Sequence, residues 1–420
     1  MIRRNIDTLV ESAMADTPVV FINGARQTGK TTLVRALADD IAPSTYVTFD
    51  DATMLAAAAA DPQNFIDRFE DLAIIDEIQK VPQLFPAIKM SVDRDRRPGR
   101  FLLTGSANVL MLPRLSESLT GRVEIITLRP FSQGEQENRR ENFVDRLMNG
   151  EGWRPPLKLV DRGQLAERIC RGGYPEVLQR ARSRRRNWFG SYLTTILQRD
   201  IRDLSNIEAL SDAPRLLALL SARSGSLLNA AEVSRGSGIP HSTLQRYLTL
   251  LEATFLIHRV RPWTANLSKR LVKSPKLLIE DTGLMSYLLN LSEARVLEDP
   301  NLAGHILETF VGTEILKQTE WSDSRPYLLH YRTSAGAEVD FVLEAGTRRV
   351  AGIEVKLTQS LKESDFRGLQ ALAEDAGSSF VGGVVFHTGS ACLPFGKKIW
   401  GIPIACLWDH HDNQLLGSKN

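Results

Sequence analysis

The run Gly24-Ala25-Arg26-Gln27-Thr28-Gly29-Lys30-Thr31 limits what this chain can fold into more than any other feature. It fits the pattern G-x-x-x-x-G-K-[ST]. It lies between the apolar run Val19-Val20-Phe21-Ile22 and a stretch, residues 31–38, with helical apolar spacing. A strand, a glycine-rich turn and a helix in that order make a phosphate cradle. The glycines let successive backbone N–H groups curl around an anion, and the helix N-terminus adds its positive dipole end. In this reading Gly24 through Thr31, with Thr32 behind them, bind ATP. Lys30 reaches the β- and γ-phosphate oxygens, and the Thr31 hydroxyl ligates Mg²⁺.

The surrounding pattern supplies the sheet such a loop needs. Ser44-Thr45-Tyr46-Val47-Thr48-Phe49, Leu72-Ala73-Ile74-Ile75, Phe101-Leu102-Leu103-Thr104 and Val123-Glu124-Ile125-Ile126-Thr127-Leu128 read as further strands, with helical spacing at residues 31–38 and 82–93. Continuous apolar strands alternating with helices predict an α/β fold with a parallel sheet covered on both faces. The third strand runs into Asp76-Glu77. Asp76 is expected in the Mg²⁺ shell and Glu77 as the general base that polarises the attacking water; the alternative is a strand simply meeting solvent. Thr104-Gly105-Ser106 closes the fourth strand, where the Ser106 hydroxyl contacts the γ-phosphate or the water, unless this is a plain turn. Gly121-Arg122 precedes the fifth. Arg122 there either reaches a neighbouring subunit's ATP site or is an ordinary solvated arginine.

At 420 residues the chain is long enough for several domains, and 52 Lys+Arg against 50 Asp+Glu leave a net charge of +2. Any binding to nucleic acid must therefore come from a local patch. Cys170, Cys392 and Cys406 are too few and too scattered for a disulfide framework or a thiolate zinc site, and read as reduced thiols. No apolar run approaches the roughly 18–20 residues of a membrane span, and Asp7, Glu11 and Asp16 interrupt any signal-peptide core. The expectation is a cytoplasmic protein with no membrane partner.

The loop, the strand ending Asp76-Glu77, Leu103-Thr104-Gly105-Ser106 and Leu119-Thr120-Gly121-Arg122 together resemble the prokaryotic AAA-type ATPases of the additional-strand class. Gly172-Gly173-Tyr174-Pro175 and the run at residues 192–200, ending Gln198-Arg199-Asp200, narrow the resemblance. They are similar to the family joining an AAA domain to the C-terminal domain of unknown function 4143. That resemblance implies an AAA-type P-loop ATPase core at residues 1–130 and a helical region at 131–215. It further implies a winged helix-turn-helix at 216–297 and a nuclease-like α/β domain at 298–420. A homo-oligomer, usually a hexamer, is the assembly such ATPases form.

The residues themselves carry the winged-helix reading. Leu228-Asn229-Ala230-Ala231-Glu232-Val233 reads as a short helix, followed by the turn Gly236-Ser237-Gly238-Ile239. A longer helix over residues 242–255 has Leu244, Tyr247, Leu248 and Leu251 on one face. Two strands with a basic connection (Arg259, Arg261, Lys269, Arg270, Lys273) complete it. In that geometry Ser242, Thr243, Gln245 and Arg246 face the DNA major groove, although winged helices also contact proteins. Upstream, Arg180, Arg182, Arg184, Arg185 and Arg186 beside Trp188 form either a phosphate-backbone contact or a solvated helix face.

The last part offers a second candidate site. Glu338-Val339-Asp340-Phe341-Val342-Leu343 and Val350-Ala351-Gly352-Ile353-Glu354-Val355-Lys356 read as a hairpin. Period two puts Glu354 and Lys356 on one face, and the pairing brings Asp340 beside Glu354. Two carboxylates and a lysine can hold Mg²⁺ and orient a water nucleophile. The pattern resembles the PD-(D/E)XK nuclease superfamily, which implies metal ligation by Asp340 and Glu354 and an orienting role for Lys356. Glu308 matches that superfamily's extra helical carboxylate. No proline precedes Asp340, and Thr358-Gln359 matches the following helix position only loosely. His410-His411-Asp412 reads as a polar tail rather than a metal site. The functional expectation is an ATP-hydrolysing protein acting on DNA with a Mg²⁺-dependent nuclease-like domain. The alternative is a regulatory ATPase or scaffold, binding DNA or a protein, whose nuclease fold is silent.

Overall fold

The front apolar runs become β1 (Val19–Asn23), β2 (Ser44–Thr48), β3 (Leu72–Asp76), β4 (Phe101–Gly105) and β5 (Val123–Thr127). They belong to a computed structural model that describes residues 2–40, 43–106, 119–200, 212–266, 274–346 and 348–409. Every neighbouring pair is parallel, in the order β2-β3-β4-β1-β5. β1, β3 and β4 are buried along their whole length, which is why they read as unbroken apolar runs. Alternation then sorts their side chains. Val19, Phe21, Phe101 and Leu103 face the helix Leu84–Arg94, and Val20, Ile22 and Leu102 face the helix Lys30–Asp40. Because β4 lies between β1 and β3, the phosphate loop, the Asp76-Glu77 pair and Thr104–Ser106 all leave the same carboxyl edge of the sheet. That edge is where an open α/β sheet binds ligands.

Behind this sheet, buried apolar side chains from Phe143 to Trp408 join one hydrophobic cluster. The helices Ala230–Ser237 and His241–Ala253 flank a turn at Gly238, whose φ of 74° is the left-handed conformation glycine tolerates. Next come β6 (Ile257–Pro262) and β7 (Lys276–Ile279), an antiparallel pair. The helix-turn-helix and its two strands are thus present. Lys269, Arg270 and Lys273, expected in the basic connection, lie outside the described residues, as do His410, His411 and Asp412.

The wing strands do not stop at each other. β6 also pairs in parallel with β8 (Tyr327–Arg332), through Arg261 opposite Leu329 and Pro262 opposite His330. β9 (Glu338–Glu344), β10 (Val350–Val355), β11 (Phe380–His387), β12 (Leu393–Pro394) and β13 (Ile399–Pro403) complete an eight-stranded sheet, ordered β12-β13-β11-β10-β9-β8-β6-β7. Strands from both sides of position 297/298 thus belong to one continuous sheet. The physical reason is the edge of β6, whose backbone groups would stay unpaired in an isolated wing and are satisfied by β8. The helix Pro300–Trp321 lies beneath this sheet, and its last residue, Trp321, reaches the core of the front domain. Among the described residues, no helix is long and apolar enough to cross a membrane.

Candidate functional site

The phosphate loop begins where β1 ends. Gly24 has φ 148°, and a Cβ there would stand 2.2 Å from the Leu128 carbonyl oxygen, so only glycine lets the loop pass this close to the end of β5. Gly29 has φ 96°, and Gln27, an exposed non-glycine residue, is also left-handed at φ 63°. Within the loop the Lys30 ammonium donates to the Gly24 and Ala25 carbonyls, at 2.9 and 2.8 Å, and the Thr28 hydroxyl donates to Ala25 at 2.9 Å. Ala25 is buried, Arg26 and Thr31 are half-buried, and Thr32 is exposed.

Asp76 stands at the centre of what converges on this loop. One of its oxygens accepts from the Thr31 hydroxyl and from the Tyr46 phenol, each at 2.8 Å, and the other accepts from the Thr104 hydroxyl. Burial, together with the hydrogen bond given to Asp76, raises the pKa of Tyr46 and keeps it a donor. Glu77, next in the chain, is left-handed (φ 59°, ψ 43°), a conformation rare for a residue with a Cβ. Its N–H donates to the Thr104 hydroxyl at 3.1 Å, and its carboxylate accepts from Gln79 Nε2 at 2.5 Å. Gln79 Nε2 also lies 3.0 Å from the Ser106 hydroxyl. The expected residues Lys30, Thr31, Asp76, Glu77 and Ser106 thus lie on one sheet edge. Hard oxygen donors at Thr31 and Asp76, adjacent and facing the loop, suit Mg²⁺ carried with a nucleotide.

Tyr46, Gln79 and the double role of Thr104 are not legible in the sequence. β2 is a half-exposed edge strand whose alternation does not say which polar residue meets the carboxylate, and Gln79 lies in a short turn of 3₁₀ helix with no motif around it. Arg122 was located by sequence but not its partner. It is half-buried, ion-paired to Asp93 at 2.6 Å, and holds that carboxyl below its ordinary pKa. It precedes β5 while the loop follows β1, and the two strands are parallel. Arg122 and its own loop are therefore at opposite ends of the sheet, on the order of 16 Å apart along five residues of strand.

A second group of contacts ties this loop to the rest of the chain. Arg4 donates to the Thr28 carbonyl at 3.1 Å, to the Arg129 carbonyl at 2.6 Å and to Glu135 at 3.1 Å. Arg129 in turn bonds Glu280 at 2.6 Å and Glu320 at 3.0 Å. The signature Gly172-Gly173-Tyr174-Pro175 closes the same junction. Gly173 N–H donates to Asp281 at 2.7 Å, Gly173 carbonyl accepts from Phe131 N–H at 2.8 Å, and Tyr174 OH lies 2.8 Å from Tyr192 OH. A Cβ on Gly173 would stand 2.3 Å from the Phe131 carbonyl oxygen. The motif is a packing joint.

The basic run is also largely committed within the chain. Arg180 pairs with Glu176, Arg182 with Glu293, Arg185 with Glu167, and Arg186 bonds Asn290 and lies over the Tyr287 ring. Trp188 is buried and stacked on Tyr192 at 4.9 Å, so it is core rather than a platform for bases. On the second helix of the winged unit Leu244, Tyr247, Leu248 and Leu251 are buried. Ser242 and Arg246 are exposed, Thr243 and Gln245 half-buried, and Arg259 bonds Glu252 at 2.7 Å.

In the C-terminal sheet the hairpin brings Asp340 beside Glu354. Asp340 N–H donates to Glu354 at 3.2 Å, Val355 N–H donates to Asp340 at 2.9 Å, and Lys356 bonds Glu354 at 2.6 Å. Glu308 faces the same place from the helix Pro300–Trp321, but a residue no motif had flagged stands between it and Asp340. The Lys276 ammonium, on β7, lies 2.5 Å from Glu308 and 3.4 Å from Asp340. Burial and the charge of Asp340 push Glu308 and Glu354 each up to about 8. Burial opposes the charge on Lys276, but Asp340 and Glu308 more than offset it, and its pKa is raised. Among the described residues, no three His, Cys, Asp or Glu side chains converge as a metal would require. The expected ligand set Glu308, Asp340 and Glu354 thus does not fit a divalent cation as it stands.

Three family models match the chain: an AAA domain over residues 16–137, domain of unknown function DUF8612 over 162–295, and domain of unknown function DUF4143 over 303–407. Uncharacterized proteins of Mycobacterium tuberculosis and Mycobacterium bovis are each 33% identical over 364 residues, which is 85% of this chain and 74% of theirs. Among solved structures, the Walker-type ATPase of Pyrococcus abyssi aligns over 69% of this chain and 96% of its own, at 16% identity and a TM-score of 0.39.

Proposed function

The chain belongs to the family of those uncharacterized mycobacterial proteins and carries an AAA-type P-loop ATPase domain, and from that premise we propose that it binds and hydrolyses ATP at the carboxyl edge of the front sheet. One observation carries this reading: Thr31 of the loop and Asp76 of β3 meet at 2.8 Å, directly beside Lys30. Thr31 and Asp76 would hold the Mg²⁺ that accompanies the nucleotide and neutralises its phosphate oxygens. Lys30 exchanges its two carbonyl partners for β- and γ-phosphate oxygens. Glu77, held by Gln79, accepts the proton of the attacking water, and Thr104 keeps the two neighbouring carboxyl residues in register. Arg122 serves the ATP site of a neighbouring copy in a homo-oligomer, a reading supported by its place at the sheet end away from its own loop.

The partner in this reading is DNA, contacted by Ser242 and Arg246 on the second helix of the winged unit, both exposed. The C-terminal sheet plays no catalytic part in this reading, because the buried Lys276 ammonium already stands between Glu308 and Asp340. The function is then that of a regulatory ATPase.

Nucleotide binding and phosphate release measured on the full chain and on Lys30→Ala test the central statement. Loss of both in the variant is expected; unchanged hydrolysis removes the loop from the mechanism. Duplex DNA binding that falls at least tenfold in Arg246→Ala supports the partner, and unchanged binding overturns it.

A further inference from the structure

Lys276 enters the carboxylate cluster from β7, the second strand of the winged unit. β7 lies at one edge of the eight-stranded sheet, and its first residue projects under the sheet toward β9. The Lys276 side chain is 1% exposed. Its ammonium bonds Glu308 at 2.5 Å, approaches Asp340 at 3.4 Å and lies 3.8 Å from Glu338.

The second oxygen of Asp340 and both oxygens of Glu354 are engaged as well. The second Asp340 oxygen accepts from Val355 N–H at 2.9 Å. One Glu354 oxygen accepts from Asp340 N–H at 3.2 Å and the other from Lys356 at 2.6 Å. A divalent cation entering here would have to displace an ammonium that cannot reach water from its buried position. The displaced ammonium would be left buried without its carboxylate partners and beside a second positive charge, which is strongly unfavourable, so the lysine holds its place.

We propose that Lys276 is the resident cation of the Glu308, Asp340 and Glu354 cluster, so that this site is a lysine-closed joint between the winged unit and the C-terminal sheet and takes no divalent metal. This deepens the silent reading of the C-terminal part. The joint has a second end. Four residues along the chain from Lys276, Glu280 pairs with Arg129, whose carbonyl is held by the same Arg4 that bonds the phosphate loop. β7 and the residues after it thus connect the cluster to the ATPase domain through a chain of hydrogen bonds and ion pairs.

The test is a Mn²⁺ titration of nucleotide-free full-length protein, read by the paramagnetic resonance of free Mn²⁺. Wild type, Asp340→Asn, Lys276→Met and the double variant are compared, with a DNA cleavage assay alongside. Wild type and Asp340→Asn are expected to take up the same Mn²⁺. Lys276→Met is expected to gain one site per chain, at least tenfold tighter than any in wild type and lost in the double variant. A wild-type Mn²⁺ site that disappears in Asp340→Asn overturns the proposal, and so does a folded Lys276→Met that gains none. If Lys276→Met does not fold, the comparison of wild type with Asp340→Asn decides alone. Cleavage lost in Asp340→Asn would defeat the silent reading as well, whereas a wild-type Mn²⁺ site without cleavage defeats only the lysine joint.

Discussion

The Arg129 guanidinium and the Glu280 carboxylate, 151 residues apart in the chain, meet at 2.6 Å with both side chains nearly enclosed. Arg129 follows the last strand of the ATPase sheet, and Glu280 follows β7 of the larger one. Glu320, from the helix Pro300–Trp321, completes the set at 3.0 Å. Burial raises the pKa of Glu280, an effect the arginine opposes. Arg129→Met removes the nearest counter-charge from buried Glu280 and half-buried Glu320, and a loss of about 3–5 kcal/mol is expected. Urea unfolding with matched m values would measure it.

Glu77→Gln separates binding from chemistry. The amide keeps a side chain of the same shape but cannot accept the water's proton. Nucleotide affinity should stay within about twofold while hydrolysis falls on the order of 10²–10⁴-fold. Single-turnover phosphate release, with binding of a fluorescent ATP analogue, reads both; normal hydrolysis would exclude Glu77 as the base.

Thr104→Val deletes a hydroxyl that gives to Asp76 and receives from Glu77 N–H at 3.1 Å. The isosteric methyl leaves both partners with one bond fewer, at a cost of about 1–3 kcal/mol in stability. Hydrolysis should also slow by about tenfold or more, because Asp76 and Glu77 lose the contact that sets their relative position. Thermal unfolding and turnover are the measurements, and Thr104→Ser should restore both.

Gly173→Ala should act on folding and leave the isolated nucleotide chemistry intact. The added methyl meets the Phe131 carbonyl oxygen, 2.3 Å away, and the backbone there is fixed by the bonds to Asp281 and Phe131. Overpacking of this kind costs about 1–3 kcal/mol. A lower melting temperature with unchanged ATP affinity in the folded fraction is expected.

Glu354, like Glu308 beside the same Asp340, gives the pH dependence of stability a definite sign. Its folded pKa of about 8 stands above the ordinary value of 4.5, so between those limits the folded chain holds a proton that the unfolded chain has released. Its contribution is present below pH 4.5 and is lost as pH rises toward 8, with a slope of at most about 1.4 kcal/mol per pH unit. Glu354→Gln should reduce that slope, and Glu308 keeps the part that remains. Chemical denaturation at several pH values between 5 and 8.5 would show it, and an unchanged slope would assign the proton elsewhere.

The sequence by itself determined the front domain. Residues 19–128 encode their strands as continuous apolar runs because β1, β3 and β4 are covered on both faces, and the phosphate loop, Asp76 and Glu77 stand at fixed offsets from those runs. Local pattern also revealed the helix-turn-helix and the β9–β10 hairpin, since alternation and turn residues act over a few positions. What only the tertiary structure decided lies between segments distant in the chain. That Tyr46 and Thr104 hold Asp76, that Gly173 seals against Phe131, and that β6 joins β8 all depend on how separate elements meet. Lys276 is the clearest case. In sequence it is one more basic residue near a wing. Only the eight-stranded sheet places it at 2.5 Å from Glu308, because a charge is assigned its partner by burial and distance and not by its neighbours along the chain.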